Sequence, residues 1–125
     1  MKRMITYLLS FLWLTACGQD RFENVDVEKF KSIINEPNVI VVDVRSAEEY
    51  AEGHLAGALN IDQGQDGFIK KAQESLSKDK TIAIYCRSGR RSALAANRLA
   101  KEGYKCVNMK GGIIAWKSAN QEIVK

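Results

Sequence analysis

The chain has 125 residues and a single proline, so one compact domain is expected, and its 46% apolar content is that of an ordinary globular protein. Its formal charge is +4; Lys2 and Arg3 fall in a segment read below as removed, which leaves +2. There is no long basic run, and this excludes nucleic acid as a charge-driven partner.

The chain opens on a targeting pattern. Met1-Lys2-Arg3 is a basic start, and Ile5 to Leu14 is an apolar run. At about ten residues, that run falls short of the roughly 20 that a membrane-spanning helix needs. Leu14-Thr15-Ala16-Cys17-Gly18 follows, and small residues ahead of a cysteine resemble the bacterial lipobox. The resemblance implies a signal peptide over 1–16, cleavage before Cys17 and a lipid on Cys17. The mature protein would then be a membrane-anchored lipoprotein of the cell envelope, facing the periplasm or the cell exterior. The competing reading is an ordinary signal peptide that happens to contain a cysteine. Residues 17–23 read as the lipidated tether, 24–120 as the folded domain and 121–125 as a C-terminal tail.

Within the domain, Asn24 or Asp26 can cap a helix over Val27 to Ile34 whose inner face is Val27, Phe30, Ile33 and Ile34. Pro37 closes that helix off. Asn38 to Val44 is a continuous apolar run, the mark of a strand covered on both faces of a parallel sheet. Ser46-Ala47-Glu48-Glu49 is a capping box that starts a short helix, and Gly53 ends it. Ala58 to Ile61 is a short strand candidate, and Gly67 to Leu76 reads as a helix with Phe68, Ile69, Ala72 and Leu76 inward. Thr81 to Tyr85 is a β-branched, buried strand. A helix from Ala93 follows, with Leu94, Ala95, Arg98, Leu99 and Glu102 at helical spacing and Gly103 as its stop. Lys105 to Met109 is a strand, and Gly111-Gly112 turns into a last helix through Trp116. This alternation predicts an α/β fold, a parallel sheet with helices on both faces.

The chemistry concentrates in Cys86-Arg87-Ser88-Gly89-Arg90-Arg91-Ser92, between strand and helix. A strand feeding a helix through a tight loop aims several N–H groups at one point, which makes an anion site. A thiol placed there ionises readily, because the thiolate is the anion being held. Arg87, Arg90 and Arg91 add positive charge, so the loop reads as a nucleophilic cysteine in a cradle that also takes an anionic substrate. The bland alternative is a buried structural cysteine beside solvated arginines. Cys106 lies within a strand and reads as a small core residue. A Cys86–Cys106 disulfide stays open, though it would block the cradle. Ligands of such sheets bind beyond the carboxyl ends of the strands, where both Cys86 and Asp43-Val44-Arg45 fall.

Five segments now resemble one family in order: Asp43-Val44-Arg45, Glu49-Tyr50, Gly53-His54-Leu55-Ala56-Gly57-Ala58, the Cys86 to Ser92 loop, and Gly111-Gly112-Ile113-Ile114-Ala115-Trp116. Together they resemble the single-domain rhodaneses across roughly residues 22 to 118. The resemblance implies a five-stranded, mostly parallel sheet flanked by helices. It implies thiosulfate sulfurtransferase chemistry through a Cys86 persulfide. The loop of Arg87, Ser88, Gly89, Arg90 and Arg91 would bind substrate, and its amides would stabilise the negative sulfur. The donor would be thiosulfate or another sulfane-sulfur compound, and the acceptor cyanide or a thiol. No cofactor and no metal are implied, and a monomer is expected. Asp43, Arg45 and His54 read as loop supports. A single histidine builds no His-based metal site, and the cradle leaves no need for a base. The chain departs from the commonest family pattern at Ala56, where many members have proline.

Three rival readings remain. A persulfide carrier or binding module for a partner protein would use the same thiol. A phosphatase or arsenate reductase needs a loop one residue longer before its essential arginine; the residue six after Cys86 is Ser92, and Arg91 comes one early. A redox role would pair Cys86 with Cys106.

Overall fold

The computed structural model describes residues 22–125. Its elements run β1 (Glu23–Val25), α1 (Val27–Ile34), β2 (Val39–Asp43), α2 (Ala47–Glu52), β3 (Leu59–Asn60), α3 (Phe68–Ser75), β4 (Thr81–Tyr85), α4 (Arg90–Lys101), β5 (Lys105–Met109) and α5 (Gly112–Ser118). The strands form one five-stranded sheet in the order β1-β5-β4-β2-β3, and every neighbouring pair is parallel. The α/β fold with a parallel sheet predicted from the alternation of elements is observed, with the five strands that the family resemblance implied.

Local chemistry explains the element boundaries. Asp26 caps α1 by accepting from Lys29 N. Ser46 and Glu49 form the predicted reciprocal capping box on α2, and Gly53 closes that helix. The sheet's two faces carry separate apolar cores. One holds Val42, Val44, Phe68, Ile82, Ile84, Ala95, Leu99 and Cys106. The other holds Phe30, Leu55, Ala83, Tyr85, Val107, Met109, Ile113 and Trp116. Residues alternate between them along β4 and β5, as strand geometry requires.

Three expectations are corrected. The tether predicted over 17–23 gives way to structure at its end: Phe22 packs on the core, and Glu23 begins a strand paired with Val107. The signal peptide over 1–16 and Cys17 lie outside the described residues. α4 starts at Arg90 rather than Ala93, which shifts its phase. Its buried face is Ser92, Ala95, Ala96 and Leu99, spaced i, i+3, i+4, i+7, and Leu94 is 60% exposed. The tail is also pinned: His54 and Val124 exchange backbone hydrogen bonds at 2.8 Å, and Trp116 Nε1 donates to Glu122 O.

Candidate active site

Cys86 follows β4 directly, at the carboxyl end of a central strand, and is 1% exposed. The loop before α4 is short, and Gly89 caps the helix from the left-handed region at φ 102°. That geometry turns the Gly89 N–H back onto Cys86 Sγ at 3.1 Å. Ser92, inside the first turn of α4, donates its hydroxyl to the same sulfur at 3.3 Å. Burial, the largest single influence, pushes the Cys86 thiol up. The Ser92 hydroxyl and the amides of Ser92, Gly89 and Ser88 together outweigh it, and the thiol ionises below its ordinary value of 9.0.

The sequence assigned the cradle to amides from Arg87 to Arg91. The hydrogen bonds that reach the sulfur come from the Gly89 N–H and the Ser92 hydroxyl, and Ser92 is a site residue that the sequence reading did not name. Its signal was present in the Cys86 to Ser92 motif. It became readable only once α4 was known to begin at Arg90.

The three loop arginines diverge. Arg91 is held bidentately by Glu49 of α2, at 2.8 and 2.9 Å. The Arg91 guanidinium holds Glu49 down from 4.5 to about 2. Arg87 is exposed and lines a cavity of about 260 Å³ with Arg45, Glu49, Glu52, Ile114 and Lys117. Arg90 is exposed on another side, in a groove with Phe22, Asn24, Ala93 and Leu94. Neither Arg87 nor Arg90 forms an ion pair among the described residues. Two cations in the first turn of α4 oppose the helix dipole, a local conflict that raises the positive potential around the thiol.

A second element braces the loop. The first N–H groups of α5 donate outward: Ile113 N to Cys86 O at 2.9 Å and Ile114 N to Arg87 O at 3.2 Å. Gly112 permits this approach, because a Cβ there would sit 2.6 Å from the Cys86 carbonyl.

The profile of the Rhodanese-like domain matches residues 26–119. The chain belongs to the rhodanese-like family. A sulfurtransferase of Allochromatium vinosum is 39% identical over 80 residues, 63% of this chain and 72% of that protein. The thiosulfate sulfurtransferase GlpE of Coxiella burnetii is 29% identical over 87 residues, 69% of this chain and 78% of that protein. The crystal structure of a rhodanese-related protein from Thermoplasma volcanium is similar with a TM-score of 0.72 at 27% identity, covering 82% of this chain and 98% of that one. These relatives support rhodanese-type sulfur transfer as the general activity.

The remaining predicted site residues of this rhodanese domain lie behind the loop. Asp43 and Arg45 form a buried ion pair with a shortest contact of 2.7 Å, and Arg45 also donates to Gly53 O at 2.6 Å. Burial lowers Arg45, but the hydrogen bonds and charge of Asp43 outweigh it, so the guanidinium is held more firmly charged than usual. His54 stacks on Tyr50 with ring centroids 3.7 Å apart, and its Nδ1 lies 2.8 Å from the Tyr50 carbonyl. Its contacts join α2 to the C-terminal segment. Cys106 is free, buried and pushed up to about 12 by that burial. Register places it opposite Ile82, four residues before Cys86 along the neighbouring strand. That offset is roughly 13 Å of strand, and a disulfide needs Cα atoms within about 7 Å.

Proposed function

We propose that the domain is a thiosulfate sulfurtransferase working through a Cys86 persulfide. The observation that carries this reading is the loop geometry, with Sγ held by Gly89 N–H and the Ser92 hydroxyl at the mouth of α4. The Cys86 thiolate attacks the outer sulfur of thiosulfate. A new S–S bond forms, the bond inside thiosulfate breaks, and sulfite leaves with the electron pair. Cyanide or a thiol then attacks the terminal sulfur of the persulfide. Thiocyanate or a new persulfide departs, and the Cys86 thiolate is restored. The amides and hydroxyl around Sγ stabilise negative charge on sulfur at both stages. Arg87 recruits the anionic donor, a role supported by its having no ion pair among the described residues and by Lys117, which lines the same cavity. Arg91 keeps its charge near the sulfur while Glu49 fixes its position. The similarity to the Coxiella burnetii thiosulfate sulfurtransferase supports thiosulfate as donor.

Steady-state formation of thiocyanate from thiosulfate and cyanide tests the reading. Cys86→Ser should abolish it; turnover retained in that variant would remove the nucleophile assignment.

Cys17 is proposed as a lipid anchor holding the domain at a membrane of the cell envelope, on the strength of the lipobox-like Leu14 to Gly18. Cys17→Ala should release the protein from the membrane fraction, and an unchanged membrane fraction would refute lipidation.

A further inference from the structure

Asn108 lies near the end of β5, on the sheet face shared with Cys106, Ile82, Ile84 and Leu99. That face is apolar, and the position is 2% exposed. An aliphatic side chain would suit it. Instead the Asn108 Nδ2 donates to Asn24 Oδ1 at 2.9 Å and to the Gly89 carbonyl at 3.3 Å. Its own Oδ1 has no hydrogen-bond partner among the described residues. A buried acceptor left unpaired costs stability. The amide is thus kept against the packing interest of its own face, and what it holds explains why.

It holds the residue on which the cradle turns. Gly89 has φ 102° and caps α4 with no side-chain hydrogen bond of its own. Its N–H reaches Cys86 Sγ, while its carbonyl receives Ala93 N–H at 3.1 Å and the Asn108 amide. Glycine has the widest backbone freedom of any residue. Fixing its carbonyl restricts that freedom and with it the direction of the N–H. Asn24 completes the strut from β1, whose residues precede the family match at 26.

We propose that Asn108 is a positioning residue of the sulfur-transfer loop: its amide anchors the Gly89 carbonyl so that the Gly89 N–H stays aimed at Cys86 Sγ. Asn108 makes no hydrogen bond to the sulfur itself; its amide donates to Asn24 and Gly89. Its consequence for catalysis rests on the sulfurtransferase reading; its effect on the thiol does not.

The test is Asn108→Leu, which fills the apolar site and removes the donor. Alkylation of Cys86 by iodoacetamide is followed against pH, peptide by peptide, with the thermal midpoint and the rate of persulfide formation from thiosulfate. The expected Asn108→Leu protein melts at or above wild type. Its Cys86 alkylation profile moves to higher pH. Persulfide formation falls about tenfold near neutral pH and recovers as pH is raised. A folded variant with the wild-type alkylation profile overturns the proposal, whether or not its midpoint falls. If Asn108→Leu fails to fold, Asn108→Ala serves with the same criterion. A shifted profile in a protein that takes no sulfur from thiosulfate would overturn the sulfurtransferase reading and leave the positioning role standing.

Discussion

The hydroxyl of Ser92, in the first turn of α4, donates to the sulfur of Cys86 across 3.3 Å, and neither residue is more than 1% exposed. A hydroxyl aimed at a buried sulfur favours the thiolate over the thiol. Ser92→Ala removes that donor and leaves no polar atom behind. Cys86 should then ionise at higher pH, and sulfur transfer near neutral pH should fall by about tenfold, the equivalent of roughly 1.4 kcal/mol. The alkylation rate of Cys86 against pH checks the first effect, and single-turnover persulfide formation checks the second.

The two described cysteines should separate cleanly by pH. Cys86 ionises below 9.0 and Cys106 near 12, so iodoacetamide at neutral pH should label Cys86 and spare Cys106. The sign follows from the lowered value. The thiolate's contribution to stability is fully present above the unfolded thiol's value and is lost as pH falls through the lower, folded one. Sulfur transfer should rise with pH through the same lowered midpoint and then level off. The charges and dipoles that face the sulfur are the Arg91 guanidinium, the Ser92 hydroxyl and the loop amides. Peptide mapping of the label across pH checks the order.

Glu49 does two jobs, and one substitution separates them. It caps α2 through the Ser46 N–H at 3.0 Å and clamps Arg91. Glu49→Gln keeps a capping side chain and removes the charge. Both partners are partly exposed, with side chains 38% and 28% accessible, so the loss in stability should stay within about 1 kcal/mol. Wild type's advantage should be full above pH 4.5 and fade as pH falls toward 2, where the carboxylate protonates. Denaturation midpoints of both proteins across that range check it.

Gly112 is the contact point between α5 and the loop. Its φ is 58°, and an added Cβ would meet the Cys86 carbonyl at 2.6 Å and the Arg87 carbonyl closer still. Gly112→Ala should cost about 1–3 kcal/mol of stability through overpacking. It should slow persulfide formation more than Ser92→Ala does, because it shifts the backbone that carries the nucleophile. Urea denaturation and single-turnover rates measure the two effects.

The buried pair behind the loop should be costly to break. Arg45→Met leaves the fully buried Asp43 carboxylate without its partner and the Gly53 carbonyl without its donor. A loss of about 3–5 kcal/mol is expected. A circular-dichroism melt would show it, and a loss under about 1 kcal/mol would contradict it.

Much of this was legible locally. The Ser46–Glu49 capping box, the apolar runs of β2 and β4 and the glycine ahead of α5 each carry their structure within a few residues. The Asp43–Arg45 pair is equally local, since residues two apart at a strand end share a face. β1 was not readable. Only Val25 of its three residues is buried, and its pairing with β5 is made by backbone. Leu94 misled the pattern because α4 presents Ser92, Ala95 and Ala96 inward instead. The Glu49–Arg91 clamp, the α5 brace and the Asn108 strut join residues 42, 27 and 19 apart, and no local pattern encodes them.

The central claim is that Cys86 carries a transferable sulfur. The most direct measurement is the intact mass of the protein after incubation with thiosulfate, followed by peptide mapping. A gain of one sulfur atom located on Cys86, lost again on adding cyanide, is the predicted result. An unchanged mass, or a sulfur found on Cys106 instead, would contradict it.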